Sequence, residues 1–227
     1  MNPYLCLCGL LLLVATPLLA QDPLDNMQRE GIEWAILRWE QTNDTTLPRV
    51  LLIGDSITNG YTNPVRGLLK GTANVDMLAT SKSVCDPALL LELTLATHGY
   101  QHAVIHFNNG LHGGHLSDAQ YEAGLRRMAA KLRELAPQAK LVWGSCTTAV
   151  TLPDKQLNPQ SNGTVLRRNA IAARVMTELG IPIDDLYAAI VDHCDWHSDS
   201  LHFNQDGYAA LAASVVTAVQ PYLVPKP

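Results

Sequence analysis

From residue 49 onward, short apolar runs alternate with helical stripes, and few folds accept that alternation. Arg49 to Ile53, Ala73 to Leu78, His102 to Phe107, Lys140 to Trp143 and Ile181 to Ile183 read as strands. Asn63 to Leu69, Pro87 to Thr97, Ser117 to Leu135 and Thr164 to Leu179 read as helices between them, and Gln205 to Leu223 as a final helix. The clearest is the third. A Ser-Asp pair opens it, Tyr121, Leu125, Met128, Leu132 and Leu135 share one stripe, and it closes before Pro137. Such a series predicts an α/β fold with a parallel sheet covered on both faces, and sheets of this kind place their functional loops at the carboxyl ends of the strands. Upstream, Arg29 to Gln41 is predicted as a helix whose Trp34, Ile36 and Trp39 pack on the sheet, with no catalytic role.

The chain has 227 residues, enough for one domain of this class over residues 21–227. Residues 1–20 carry no charged side chain, hold an apolar run from Leu5 to Ala15, and end Pro17-Leu18-Leu19-Ala20 before a polar break. The pattern predicts a signal peptide cleaved near Ala20 and a secreted or periplasmic protein without stable membrane association after cleavage. A membrane anchor is the competing reading, for which the run is short. The formal net charge of −5 argues against nucleic acid as a partner. Cys85, Cys146 and Cys194 remain after the leader, so at most one internal disulfide can form and stability rests mainly on the core. Asn43-Asp44-Thr45 and Asn162-Gly163-Thr164 have the form of glycosylation sequons.

Gly54-Asp55-Ser56-Ile57 follows the apolar run Val50 to Ile53, and Asp199-Ser200-Leu201-His202 lies near the C-terminus. A serine where a buried strand turns into a helix is exposed above the sheet, over the helix N-terminus. Serine is a weak nucleophile at neutral pH and needs a base, and the base needs a third group to fix its tautomer. His202 and Asp199 suit those roles. A plain helix cap is the other use of Ser56. The order of strands brings Ser56, the segment after Phe107 and the Asp199 loop to one rim.

These blocks resemble the GDSL-like or SGNH hydrolase family, over nearly the whole mature chain. The resemblance implies a three-layer α/β sandwich on a five-stranded, flavodoxin-like parallel sheet, and a serine esterase with catalytic residues Ser56, Asp199 and His202. It also implies an oxyanion hole fed by the Ser56 N–H, a glycine amide of a second block and an asparagine of a Gly-x-Asn-Asp third block. Here the middle blocks depart. The second has no glycine, and Cys85 is the candidate for its backbone donor, against a core or disulfide role for the thiol. The third reads Phe107-Asn108-Asn109-Gly110-Leu111-His112-Gly113, which resembles a Gly-x-His variant with His112 in the asparagine's place and Asn108 as the competing donor; loop capping is the alternative for both.

Eight histidines invite a metal, especially His112 with His115 and the run Asp192, His193, Asp195, His197, but no ligand set with the usual spacing occurs, so neither metal nor other cofactor is expected. Gly-x-Ser-x-Gly and phosphate-binding loops are absent from the sequence. The expected substrate is a small-molecule or glycan ester, with acetyl esters of carbohydrate first. A lysophospholipase, thioesterase or aryl esterase on the same three residues is the nearest alternative, and a glycan-binding protein on a decayed esterase scaffold is the alternative of another class.

Overall fold

The computed structural model describes residues 24–223, so the expected leader lies outside the described residues. Six strands form one sheet in the order β1-β3-β2-β4-β5-β6: β1 (Ala35–Arg38), β2 (Arg49–Gly54), β3 (Asn74–Thr80), β4 (Val104–Phe107), β5 (Lys140–Gly144) and β6 (Ile183–Asp184). β2 to β6 are parallel, as expected. Their order, omitting β1, is the flavodoxin-like one. The sixth strand, β1, is an antiparallel addition at the edge, paired with β3 from Ala35↔Thr80 to Arg38↔Met77.

That strand corrects the helix predicted over Arg29 to Gln41. Aromatic and branched residues at Trp34, Ile36 and Trp39 suit either period over so short a stretch, and the open edge of β3 decides between them. Trp34 N–H donates to Ser81 Oγ at 2.9 Å, Ser81 N–H returns to Trp34 O at 3.1 Å, and Glu40 N–H reaches Asp76 Oδ1 at 2.9 Å.

Alternate side chains of the central strands feed two cores, one on each face of the sheet. Leu51, Ile53, Leu78, Ile105, Phe107 and Trp143 meet α2 (Pro87–Thr97), α3 (Asp118–Leu135) and α4 (Pro159–Glu178). Val50, Leu52, Val75, Val104 and Val142 meet α1 (Ser56–Leu68) and α5 (Gln205–Val219). The sandwich therefore has its three layers.

Two helices start earlier than the sequence suggested. α1 begins at Ser56 rather than Asn63, through Thr58, Asn59, Gly60, Thr62 and Pro64, all poor helix formers. Packing overrides propensity here: a Cβ on Gly60 would lie 2.1 Å from Tyr208 Cε1, so α1 and α5 touch almost backbone to ring. α4 begins at Pro159 rather than Thr164, because Asn158 caps it by accepting from the N–H groups of Gln160 and Ser161. Within α4, Asn162 is buried, its Nδ2 donating to Tyr187 Oη at 2.9 Å, so this sequon offers no accessible amide.

At the amino ends of the strands, Asp76 is fully buried and accepts from Arg49 Nε at 2.9 Å and Nη2 at 2.6 Å, with His102 Nε2 at 2.9 Å. Burial alone would raise its pKa, and the bonds from His102 and Arg49 hold it below the ordinary value instead.

Candidate active site

β2 ends at Gly54 and Asp55 caps the following helix, its Oδ1 accepting from Ile57 N–H at 2.9 Å. Ser56 is thus the first residue of α1, half-buried above the carboxyl end of the sheet. A Cβ on Gly54 would lie 2.1 Å from Thr58 Oγ1, so the tight turn into α1 needs glycine.

The loop before α5 delivers the other two residues. His197 anchors it: the ring is buried, 4.3 Å from Phe203 between centroids and 3.3 Å from Thr148 O, and burial lowers its pKa. Ser198 N–H donates to His202 O at 2.8 Å and Asn204 N–H to Trp196 O at 2.7 Å, closing the loop just before Asn204 caps α5. Within that frame His202 Nε2 lies 2.7 Å from Ser56 Oγ and Nδ1 lies 2.8 Å from Asp199 Oδ2. Asp199 Oδ1 accepts from the N–H groups of Leu201 at 2.8 Å and His202 at 2.7 Å. Partial burial pushes the Asp199 carboxyl up, but those bonds and the one from the His202 ring overcome it and lower its pKa to about 2. A carboxylate only accepts, so the His202 proton sits on Nδ1 and the Nε2 lone pair faces the serine hydroxyl.

Asp55, beside the serine, is buried; desolvation raises its pKa, and its Oδ2 has no hydrogen-bond partner among the described residues. It borders a cavity of about 10 Å³ together with Ile57, Asn108, Leu111, Cys146 and Thr147. That is room for about one water.

The structure commits much of the middle blocks to internal bonds. Asn108 Nδ2 donates to Gly144 O at 2.6 Å and lies 3.7 Å from Cys146 Sγ. Cys85 is buried, with Sγ 3.3 Å from Gln120 O in the core under α3. His112 Nδ1 lies 2.7 Å from Glu30 Oε1, and its ring meets the edge of Trp34 at 6.1 Å. All three described cysteines are free thiols, and burial pushes Cys146 up to about 12. Among the described residues no group of three His, Cys, Asp or Glu side chains converges as a metal site would require.

Sequence reasoning missed Arg168, and it took His197 only as one of a run of possible metal ligands, whereas the ring is a buried anchor. Arg168 reaches from α4 to the loop after β4, donating to Gly110 O, His112 O and Gly113 O at 2.5, 2.8 and 2.5 Å. Its signal was a cation on the apolar stripe Val165, Ala172, Val175 of α4.

By sheet order the molecule is a flavodoxin-like α/β protein with a serine, a histidine and an aspartate in hydrogen-bonded series on its functional rim. It belongs to the GDSL-like Lipase/Acylhydrolase family, whose model matches residues 52–210, and is a carboxylic ester hydrolase. Among solved structures it is similar to the lipase/acylhydrolase from Enterococcus faecalis, at 18% identity over 80% of this chain and 100% of that one, TM-score 0.61. It is also similar to Axe2, an acetylxylan esterase from Geobacillus stearothermophilus, at 17% identity over 76% and 94%, TM-score 0.60. LAE5, an α/β hydrolase from the metagenome of Lake Arreo, matches at 14% identity over 78% and 97%, TM-score 0.62. At such identities the likeness is one of fold. No curated protein sequence matches the chain.

Proposed function

We propose that the protein is an exported serine esterase that removes short acyl groups, acetyl above all, from carbohydrate. One observation carries the chemistry: Asp199, His202 and Ser56 stand in series at 2.8 and 2.7 Å with the histidine lone pair on the serine. His202 takes the Ser56 proton as Oγ attacks the ester carbonyl, and the tetrahedral intermediate expels the alcohol, which receives that proton from His202. Water then attacks the acyl-Ser56 with the same base, releasing the carboxylic acid and restoring the hydroxyl. Asp199 orients His202 and stabilises its charged form.

The substrate reading rests on the groove next to this series, about 390 Å³, walled by Gln160, Ser161, Thr164, Val165 and Leu201. The Arg168 guanidinium, 3% exposed, also lines it, and hydrogen-bonding groups beside aliphatic ones suit a sugar, which presents hydroxyls at its edge and C–H groups on its face. No helix among the described residues is long and apolar enough to cross a membrane. Export rests on the uncharged apolar run of residues 1–20. Hydrolysis of aryl esters of graded acyl length, beside acetate release from acetylated xylo-oligosaccharides, tests the reading. Activity should be highest with acetyl and fall with length; preference for long acyl chains would move the assignment to a lipase. N-terminal sequencing of the secreted protein should find a start near Gln21, and membrane-bound material beginning at Met1 would overturn export.

A further inference from the structure

Attack by serine creates an oxyanion that requires preorganised donors, each worth roughly 10²–10³ in rate. The side chains expected to supply them are engaged: Asn108 with Gly144 O, and His112 Nδ1 with Glu30. Because the Glu30 carboxylate can only accept, Nδ1 of His112 carries a proton and donates it to Glu30, which sets the ring's orientation.

The backbone of the same loop is arranged differently. Three of its carbonyls, those of Gly110, His112 and Gly113, converge on the Arg168 guanidinium. That cation is 3% exposed and 4.9 Å from the centroid of the Tyr121 ring, and it pairs with no carboxylate among the described residues. Tyr121 adds a second tie, donating from Oη to Asn109 O at 2.7 Å. A trans peptide sets each C=O antiparallel to the next residue's N–H. Turning these three carbonyls toward Arg168 therefore turns the N–H groups of Leu111, Gly113 and Gly114 away from it. None of those N–H groups meets an acceptor among the described residues.

Position separates the three. Gly114 is exposed, and Gly113 backs onto Ser83, whose Cβ lies 2.5 Å from where a Cβ on Gly113 would be. Leu111 shares a cavity wall with Asp55 and Ile57, the two neighbours of Ser56, and a groove wall with Leu201, the neighbour of His202. Only Leu111 adjoins both sides of the serine–histidine pair.

We propose that Arg168 is the positioning residue of a backbone oxyanion hole, in which the Leu111 N–H joins the Ser56 N–H in place of a side-chain donor. The guanidinium fixes the peptide plane and, by drawing density onto the carbonyl oxygen of Gly110, polarises the N–H of the same peptide unit. The inference rests on Ser56 being the nucleophile.

Arg168→Met should lower kcat about 10²-fold with KM little changed, since the bond strengthens only in the transition state. Arg168→Lys should recover part of the rate, keeping the charge while reaching fewer carbonyls. The discriminating readout is inhibition. Affinity for phenylboronic acid, whose serine adduct is tetrahedral and anionic, should fall in step with kcat/KM, while affinity for product acetate stays as in the wild type. Equal losses in both affinities would mean that the site has merely collapsed, and the proposal fails. If Arg168→Met does not fold, replacing Leu111 by its α-hydroxy acid removes the N–H and weakens the Gly110 carbonyl as an acceptor for Arg168; kcat should drop, and the same change at Gly114, which weakens the Gly113 carbonyl in the same way, should leave it intact. Wild-type kcat in the folded Arg168→Met protein or in the residue-111 ester would overturn the proposal. An active Ser56→Ala protein would instead remove the nucleophile reading beneath it.

Discussion

Asp199 accepts two backbone N–H groups and the His202 ring, and these bonds hold its pKa near 2 although burial pulls the other way. Its charge therefore persists throughout the acid range in which an esterase is assayed, and the acid limb of kcat/KM reports the base rather than Asp199. A single limb near pH 2, where Asp199 itself titrates, would contradict the assignment. Asp199→Asn, which offers His202 an amide in place of a charge, should reduce kcat by roughly 10⁴-fold while KM moves little. Ser56→Ala should abolish turnover and fluorophosphonate labelling with its melting temperature unchanged, since among the described residues the hydroxyl bonds only to His202. Asp55 behaves in the opposite sense to Asp199. Its carboxyl is raised by burial, so the folded state holds its proton to higher pH than the unfolded chain, and stability falls as pH rises from the ordinary carboxyl value toward the folded one. Asp55→Asn keeps an acceptor for the Ile57 N–H and removes the buried charge; its melting temperature at pH 7 should equal or exceed the wild type, with the gap closing below about pH 4. The meeting of Ser56, Asp199 and His202 was legible in the sequence because each sits in a short block of the residue types that an activated serine needs. Arg168 was not, because a lone arginine on a helix reads as a solvated charge until the loop it clamps is seen beside it.

Elements were legible where local pattern and tertiary demand agree. Pro87–Thr97 and Asp118–Leu135 fall within a residue of expectation, because each has its cap and its breaker written in the chain. β1 and the first two turns of α1 were missed for the converse reason: an unpaired edge of β3 recruits one, and the face of α5 holds the other against its own propensity. The contact at Gly60 makes this testable. Gly60→Ala improves intrinsic helix propensity yet drives a methyl into the Tyr208 ring, where its Cβ would lie 2.1 Å from Cε1. Overpacking of this kind costs about 1–3 kcal/mol, more than the ~1 kcal/mol that alanine gains over glycine in a helix. Denaturant unfolding should show Gly60→Ala less stable than wild type, and Gly60→Ala with Tyr208→Ala should show a favourable coupling between the two sites. A stabilised Gly60→Ala protein would mean that α1 and α5 pack less closely than they do here.

Across the whole molecule, chemistry and stability occupy opposite ends of the sheet. The carboxyl ends of the strands open onto Ser56, His202 and the Arg168-clamped loop, while the amino ends close over Asp76, Arg49 and His102. Arg49 also caps the edge beyond β1, reaching the carbonyls of Gln41 and Glu40. Asp76 is thus the shared acceptor for a buried cation, a buried imidazole and the Glu40 N–H. Removing one partner of a buried pair leaves the other charge uncompensated, at about 3–5 kcal/mol. Asp76→Asn should therefore lower unfolding free energy by about that much. Its effect also carries a pH signature. The bonds from His102 and Arg49 depress the Asp76 pKa in the fold, so the stability it contributes is present above the unfolded carboxyl value of about 3.9 and is lost as pH falls below it. Wild-type stability should fall in that acid range, and the Asp76→Asn protein should lose this part of the dependence. Because the length of the strands separates Asp76 from Ser56, kcat per folded molecule should be unchanged in the variant. A large fall in kcat with stability intact would couple the two ends of the sheet and contradict the division.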